Sequence, residues 1–227
     1  MGKLHTDREY ESELKKLRES LLKMAGRVEE MIADAVRALV ERDTELAART
    51  IYADHRVNRA EVETDELCMV ILARRQPMAS DLRFVTLALK MVTDLERIGD
   101  LAVNICERAI DLAGDEPLKP WVDVPRMASI VQAMVRDAID AFVTQDVARA
   151  QSVIARDRAL DELYTRVFRE ILSAMLADAS KVERGIHAQS VAKWLERMGD
   201  HATNLAEQVI FMIKGKDVRH TAKVVEP

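Results

Sequence analysis

An all-α fold of two tandem, pseudo-symmetric three-helix bundles is predicted by three features of the sequence: apolar residues at alternate steps of three and four, prolines confined to a few breaks, and a second half that repeats the first. Aromatic residues are only 4% of the 227 and charged residues 32%, with Leu, Ala, Val, Glu and Arg dominant, a mixture suited to helices packed through aliphatic seams. At 48% apolar side chains the chain can bury a proper core.

The first helix is expected over residues 10–43, where Leu17, Leu21, Met24, Val28, Met31, Ala35 and Leu39 draw one apolar stripe. A second, over 45–75, ends before Pro77, because proline inside a helix loses a hydrogen bond and clashes with the preceding turn. The third, over 79–113, carries the seam Phe84, Ala88, Met91, Leu95, Ile98, Ala102, Ile105, Ala109 and Leu112. Pro117, Pro120 and Pro125 then mark a linker, AGDEPLKPWVDVP, that divides the chain into domains 1–115 and 116–227. Helices over 122–144, 146–178 and 182–214 follow, the last with the seam Ala188, Val191, Leu195, Met198, Ala202, Leu205, Val209 and Met212 and a left-handed stop at Gly215.

The two halves align. LERIGDLAVNICE (Leu95 to Glu107) matches LERMGDHATNLAE (Leu195 to Glu207) one hundred positions later. Upstream, Asp34, Ala38, Asp43, Ala47, Ile51, Asp54 and Asn58 match Asp137, Ala141, Asp146, Ala150, Ile154, Asp157 and Asp161, with a register three residues longer. One supersecondary unit therefore occurs twice.

Composition removes several function classes. A net charge of −5 without an unbroken Lys/Arg block gives nucleic acid no electrostatic footprint. No apolar run approaches the roughly 18 residues that span a bilayer, and the N-terminus lacks an apolar signal core, so no membrane insertion and a cytoplasmic location are expected. Cys68 and Cys106 lie in helical patterns without metal-site spacing and read as buried thiols.

The chemistry-bearing residues are acids. In an antiparallel helical hairpin, residues equidistant from the turn face each other, since both helices rise about 1.5 Å per residue. About Pro77, Asn58 falls opposite Glu96 and Asp54 opposite Asp100; about the turn at Asp178 and Ala179, Asp161 falls opposite Glu196 and Asp157 opposite Asp200. Each square stacks two pairs at i, i+4 on facing helices, and such like charges repel unless a cation or neighbouring arginines (Arg97, Arg197, Arg56, Arg158) intervene. Carboxylates and an amide without His or thiolate select a hard divalent or trivalent ion: iron first, with manganese, magnesium or calcium as alternatives. Asn104 and Asn204, one turn further along, are candidate supporting ligands. The plainer alternative for any single ExxxD pair is a solvated helix face; duplication of the square argues against it here. Glu61 and Asp65 share the spacing without a repeat partner and are read as surface, as is His201. Gly99 and Gly199, inside helices between the acids, point to close helix approach or a ligand near the backbone, with tight packing as the plainer alternative, and Trp121 and Trp194 to packing anchors.

With RQPMASDLR (Arg75 to Arg83), DLERIGDLAVNI (Asp94 to Ile105), LERMGDHATNLAE and KGKDVRH (Lys214 to His220), the chain resembles the PhoU family of phosphate-specific transport accessory proteins over nearly its whole length. That resemblance implies two consecutive three-helix bundles, homodimers, and multinuclear metal clusters held by E(D)xxxD pairs, here Glu96, Asp100, Glu196, Asp200, Asp157 and Asp161, with Asp54 and Asn58 completing the first site. Asn58 brings one charge fewer than Asp161, which makes the first site the poorer. The implied role is a negative regulator, not an enzyme, that couples the ATPase subunit of the phosphate ABC transporter to a membrane sensor histidine kinase. A carboxylate-bridged metalloenzyme or metal-storage bundle is the rival reading, but such bundles use Glu-x-x-His pairs and none of the five histidines has Glu three positions before it.

Overall fold

The computed structural model describes residues 2–114 and 123–215, with side chains described from residue 8 onward. Pro117, Pro120 and Trp121 of the linker, and residues 216–220 of the KGKDVRH motif, lie outside the described residues. The helices are α1 (Gly2–Glu41), α2 (Thr44–Arg75), α3 (Ala79–Asp111), α4 (Val124–Thr144), α5 (Val147–Ala177) and α6 (Val182–Lys214), with a 3-10 turn, Ala179–Lys181, before α6. Among the described residues there is no strand, and no helix is long and apolar enough to cross a membrane.

Local chemistry sets the ends twice over. Arg42 closes α1 in the left-handed region (φ 61°) and Asp43 then caps α2, its carboxylate accepting from the Leu46 amide at 2.8 Å. Gln145 (φ 55°) and Asp146, the repeat equivalents, do the same between α4 and α5, with the Arg149 amide at 3.1 Å. Pro125 occupies the first turn of α4, where its missing N–H costs nothing, and Gly215 (φ 64°) ends α6 as expected. The first helix starts earlier than its apolar stripe predicts. Near its start, Glu9 and Glu13 clamp Arg75 at 3.2 and 2.9 Å and Tyr10 donates to Asp81 at 2.9 Å, so polar contacts tie this end of α1 to the α2–α3 turn.

The predicted seams are the core: Leu17, Leu21, Met24 and Val28 of α1, Leu95, Ile98 and Ile105 of α3, and Val191, Leu195 and Met198 of α6 are fully buried. Cys68 and Cys106 are buried, and burial pushes both thiols up to about 12. Helices α1, α2 and α3 pack into one bundle and α4, α5 and α6 into the other; the bundles join through α3 against α6 and α1 against α4, leaving α2 and α5 outermost. Polar contacts run down the antiparallel α3–α6 seam, among them Arg83 donating to the Met212 carbonyl at 3.2 Å, His201 bonding Asp94 at 2.9 Å, and Arg108 meeting His187 at 3.2 Å. Between α1 and α4, Arg136 pairs with Glu29 at 2.8 Å.

Candidate metal centres

The first acidic cluster lies where α2 meets α3. Asp54 is 9% exposed; one carboxylate oxygen accepts from the Asn58 amide at 2.7 Å, and the other, Oδ1, is buried without a hydrogen-bond partner. A Cβ added at Gly99 would sit 3.4 Å from that oxygen, so the glycine lets α3 come up against the Asp54 carboxylate. Burial raises the Asp54 pKa, Asn58 opposes the rise, and the Asp100 charge adds to it. Glu96 is pushed up to about 7, first by burial and next by Asp100, with Arg97 pulling the other way. Arg97 reaches Asp100 at 3.2 Å and Glu96 at 3.5 Å, a local counter-charge on the solvent side.

Asp100 thus lies near enough for its charge to raise the Asp54 pKa, whereas Asn58 turns along its own helix to Asp54. The surface reading of Glu61 and Asp65 is overturned. Both are half-buried with raised pKa values, Glu61 by burial and then by Asp65, and Asp65 keeps a buried oxygen without a partner. Positions 54, 58, 61 and 65 advance by four, three and four, one continuous stripe toward α3, and that spacing was the available signal. Glu61 lies close enough to raise the Glu96 pKa.

The second cluster lies between α5 and α6. Asp157 is pushed up to about 6, by burial first, then by Asp161, Asp200 and, more weakly, Glu196, so all four residues of this square share one field. Asp200 is raised by burial and then Glu196. Lys193 answers the charge: its ammonium lies 2.7 and 2.6 Å from the two Glu196 oxygens and 5.4 Å over the Tyr164 ring. The repeat puts Thr93 in place of Lys193 and Glu61 in place of Tyr164. The expected order of charge is therefore reversed, for the first cluster gains two acids and the second a lysine.

Three polar side chains of α6 serve the junction of the bundles. His201, read as solvated, bonds Asp94 of the other bundle, and Gln208 and Asn204 donate to the same carboxylate at 2.6 and 3.3 Å. Asn204 is thereby drawn toward Asp94; Asn104 is half-buried on α3. The repeat equivalents of Asp94 and His201 are Trp194 and Leu101, so the acid and the histidine at this place in the junction have apolar counterparts across the pseudo-dyad. Of the flanking arginines, Arg158 pairs with Glu162 at 3.2 Å and Arg56 turns to the α1 side of α2.

The PhoU domain model matches residues 21–109 and 124–209, one copy on each bundle. The chain belongs to the PhoU family. It is 43% identical over 218 residues to the phosphate-specific transport system accessory protein PhoU homolog of Pseudomonas putida, covering 95% of this chain and 85% of that protein. To the accessory protein PhoU of Escherichia coli (strain K12) it is 34% identical over 216 residues, covering 95% and 90%. The crystal structure of PhoU from Pseudomonas aeruginosa superposes with a TM-score of 0.88 at 42% identity, over 91% of this chain and all of that one. The phosphate transport system regulatory protein PhoU from Streptococcus pneumoniae does so at 0.85 and 27% identity, over 92% and 99%.

In this PhoU-family chain the donors suit a hard cation in kind: oxygen alone, buried in part, with Asp54 Oδ1 and Asp65 Oδ1 lacking partners. In arrangement they stop short of a closed cage. Among the described residues, no group of three or more His, Cys, Asp or Glu side chains is disposed so that it could hold an ion as it stands.

Proposed function

We propose that this chain is a cytoplasmic negative regulator of phosphate uptake and of the phosphate-starvation response. It acts as an adaptor, as a homodimer, between the ATPase subunit of a phosphate ABC transporter and a membrane sensor histidine kinase, and has no catalytic step of its own. The observation that carries the regulatory reading is the match of both bundles to the PhoU domain, together with relatives named as accessory and regulatory proteins of phosphate transport. An adaptor of this kind works by presenting faces to two partners, and a rigid pair of bundles supplies them.

The two acidic clusters are read as metal centres that set the relation of α2 to α3 and of α5 to α6. Asp54, Asn58, Glu96 and Asp100, with Glu61 and Asp65 beside them, would hold a hard ion in the first; Asp157, Asp161, Glu196 and Asp200 would hold one in the second. Such an ion supplies positive charge against mutual repulsion. Carboxylates that crowd one another and are driven toward protonation gain most from a cation, and this favours metal over a solvated face.

Deletion of the gene tests the regulatory role: alkaline phosphatase expressed in high phosphate is the expected outcome, and unchanged repression would remove the assignment. Metal analysis after purification without chelator tests the clusters. Iron or manganese should be found and lost from a Glu96→Gln, Asp157→Asn double variant; absence of metal, with no change in melting on adding either ion, would leave a scaffold.

A further inference from the structure

A cavity of about 230 Å³ opens between α1 and α2, on the side of α2 turned away from the first acidic cluster. Three arginines line it, Arg27 from α1 and Arg49 and Arg56 from α2, with Glu30 and Asp34 on the α1 wall and the buried Thr50 among its lining residues. Much of this charge is not cancelled. Arg27 donates only to the main-chain carbonyl of Arg56, at 3.2 Å, and the Arg56 guanidinium has neither a hydrogen bond nor an ion pair among the described residues. Of the acids, Asp34 is already taken by Arg37 at 2.9 Å; Arg49 has Glu45 at 2.8 Å, a pair exposed on both sides and so worth little.

The repeat acts as an internal control. The positions equivalent to Arg27, Arg49 and Arg56 in the second bundle hold Ile130, Ser152 and Ala159, while Arg156 there reaches across to neutralise Asp137 at 2.5 Å. Equivalent backbones thus carry three guanidiniums round one cleft and none at the matching places in the other. Helix packing does not call for the difference, since both bundles are built from the same seams.

We propose that this cleft is a binding site for a phosphate group, independent of the acidic clusters. Guanidinium forks match the oxygen spacing of tetrahedral oxyanions, and several forks from different directions suit a tetrahedron better than a planar carboxylate. Glu30 adds selectivity. Its carboxylate can accept a hydrogen bond from a phosphate that retains a proton and repels an anion that has none, so phosphate is preferred to sulfate. The phosphate comes either as the free ion or on a phosphorylated side chain, since the cleft opens to solvent at Arg27, Arg49 and Arg56.

The test is calorimetric titration of the full chain, stripped with chelator and kept in it so that no metal-bound phosphate contributes, with inorganic phosphate, O-phosphoserine and sulfate as probes. One saturable site per chain is expected for phosphate or phosphoserine, the tighter of the two naming the source, and sulfate is expected to bind more weakly. An Arg27→Ala, Arg56→Ala double variant should lose about tenfold or more in affinity, as removal of charge-assisted hydrogen bonds implies. Both arginines are exposed, so the fold should survive, which the melting temperature checks. An Arg149→Ala, Arg156→Ala variant of the second bundle should bind as the parent does. No saturable binding of either phosphate probe, or binding that the Arg27, Arg56 double variant leaves intact, would overturn the proposal.

Discussion

Replacing Glu96 by Gln removes one charge from the first cluster and nearly preserves its shape. Glu96 is raised from its ordinary 4.5 to about 7, so between those values the folded chain keeps a proton that the unfolded chain has released, and stability falls as pH rises through that window. At about 1.4 kcal/mol per pH unit, the full gap corresponds to about 3 kcal/mol. The side chain is 15% exposed, and solvent screening leaves about 2 kcal/mol of that cost at neutral pH. Gln removes it and can still donate to Asp100, so in chelator at pH 7.5 the variant should melt about 4–8 °C above the parent. Near pH 5, where the folded parent is already protonated, the gap should shrink to about a degree. In saturating iron or manganese the order should invert, because the parent alone keeps the full ligand set. Melting curves followed by circular dichroism at the two pH values, with and without metal, measure all three. A variant that melts below the parent in chelator at pH 7.5, or a difference independent of pH, would refute a cluster governed by burial and repulsion.

The Gly199→Ala change drives a Cβ into Leu160 Cδ2 and should cost about 1–3 kcal/mol by urea unfolding, whereas Gly26→Ala, with nothing within 4 Å, should gain about 0.5–1 kcal/mol. Asp94→Ala strips the shared acceptor from His201, Gln208 and Asn204 and should destabilise by about 1–3 kcal/mol; combined with His201→Ala, the loss should fall short of the sum, as a double-mutant cycle would record. Lys193→Gln frees Glu196 and should tighten cation binding at the second cluster by about tenfold while leaving the first unchanged, read by metal titration of variants with the other cluster disabled.

Helix number, the antiparallel pairing of α2 with α3 and of α5 with α6, and the nearness by which Asp100 raises the Asp54 pKa and Asp200 that of Asp157 all follow from quantities local to the chain. Apolar period, proline position and a constant rise per residue suffice for them. Glu61 and Asp65 are legible in the same stripe, through the spacing of 54, 58, 61 and 65, but they have no acidic counterparts in the repeat, where Tyr164 and Phe168 stand at the equivalent positions. Repetition is a strong filter for shared chemistry and discards whatever one copy has changed.

The contacts between bundles were not legible. Asp94 and His201 are more than a hundred residues apart and on helices of different hairpins, and no turn geometry relates them; only the packing of α3 on α6 brings His201, Asn204 and Gln208 to one carboxylate. The same holds for the cleft of Arg27, Arg49 and Arg56, whose charges are scattered along two helices until α1 and α2 cross. By itself, then, the sequence determined which faces are buried and which acids meet across each hairpin, because both depend on periodicity and distance from a turn. The tertiary structure alone decided how one hairpin sits on another, because that depends on side chains from distant segments fitting together, which no local spacing encodes.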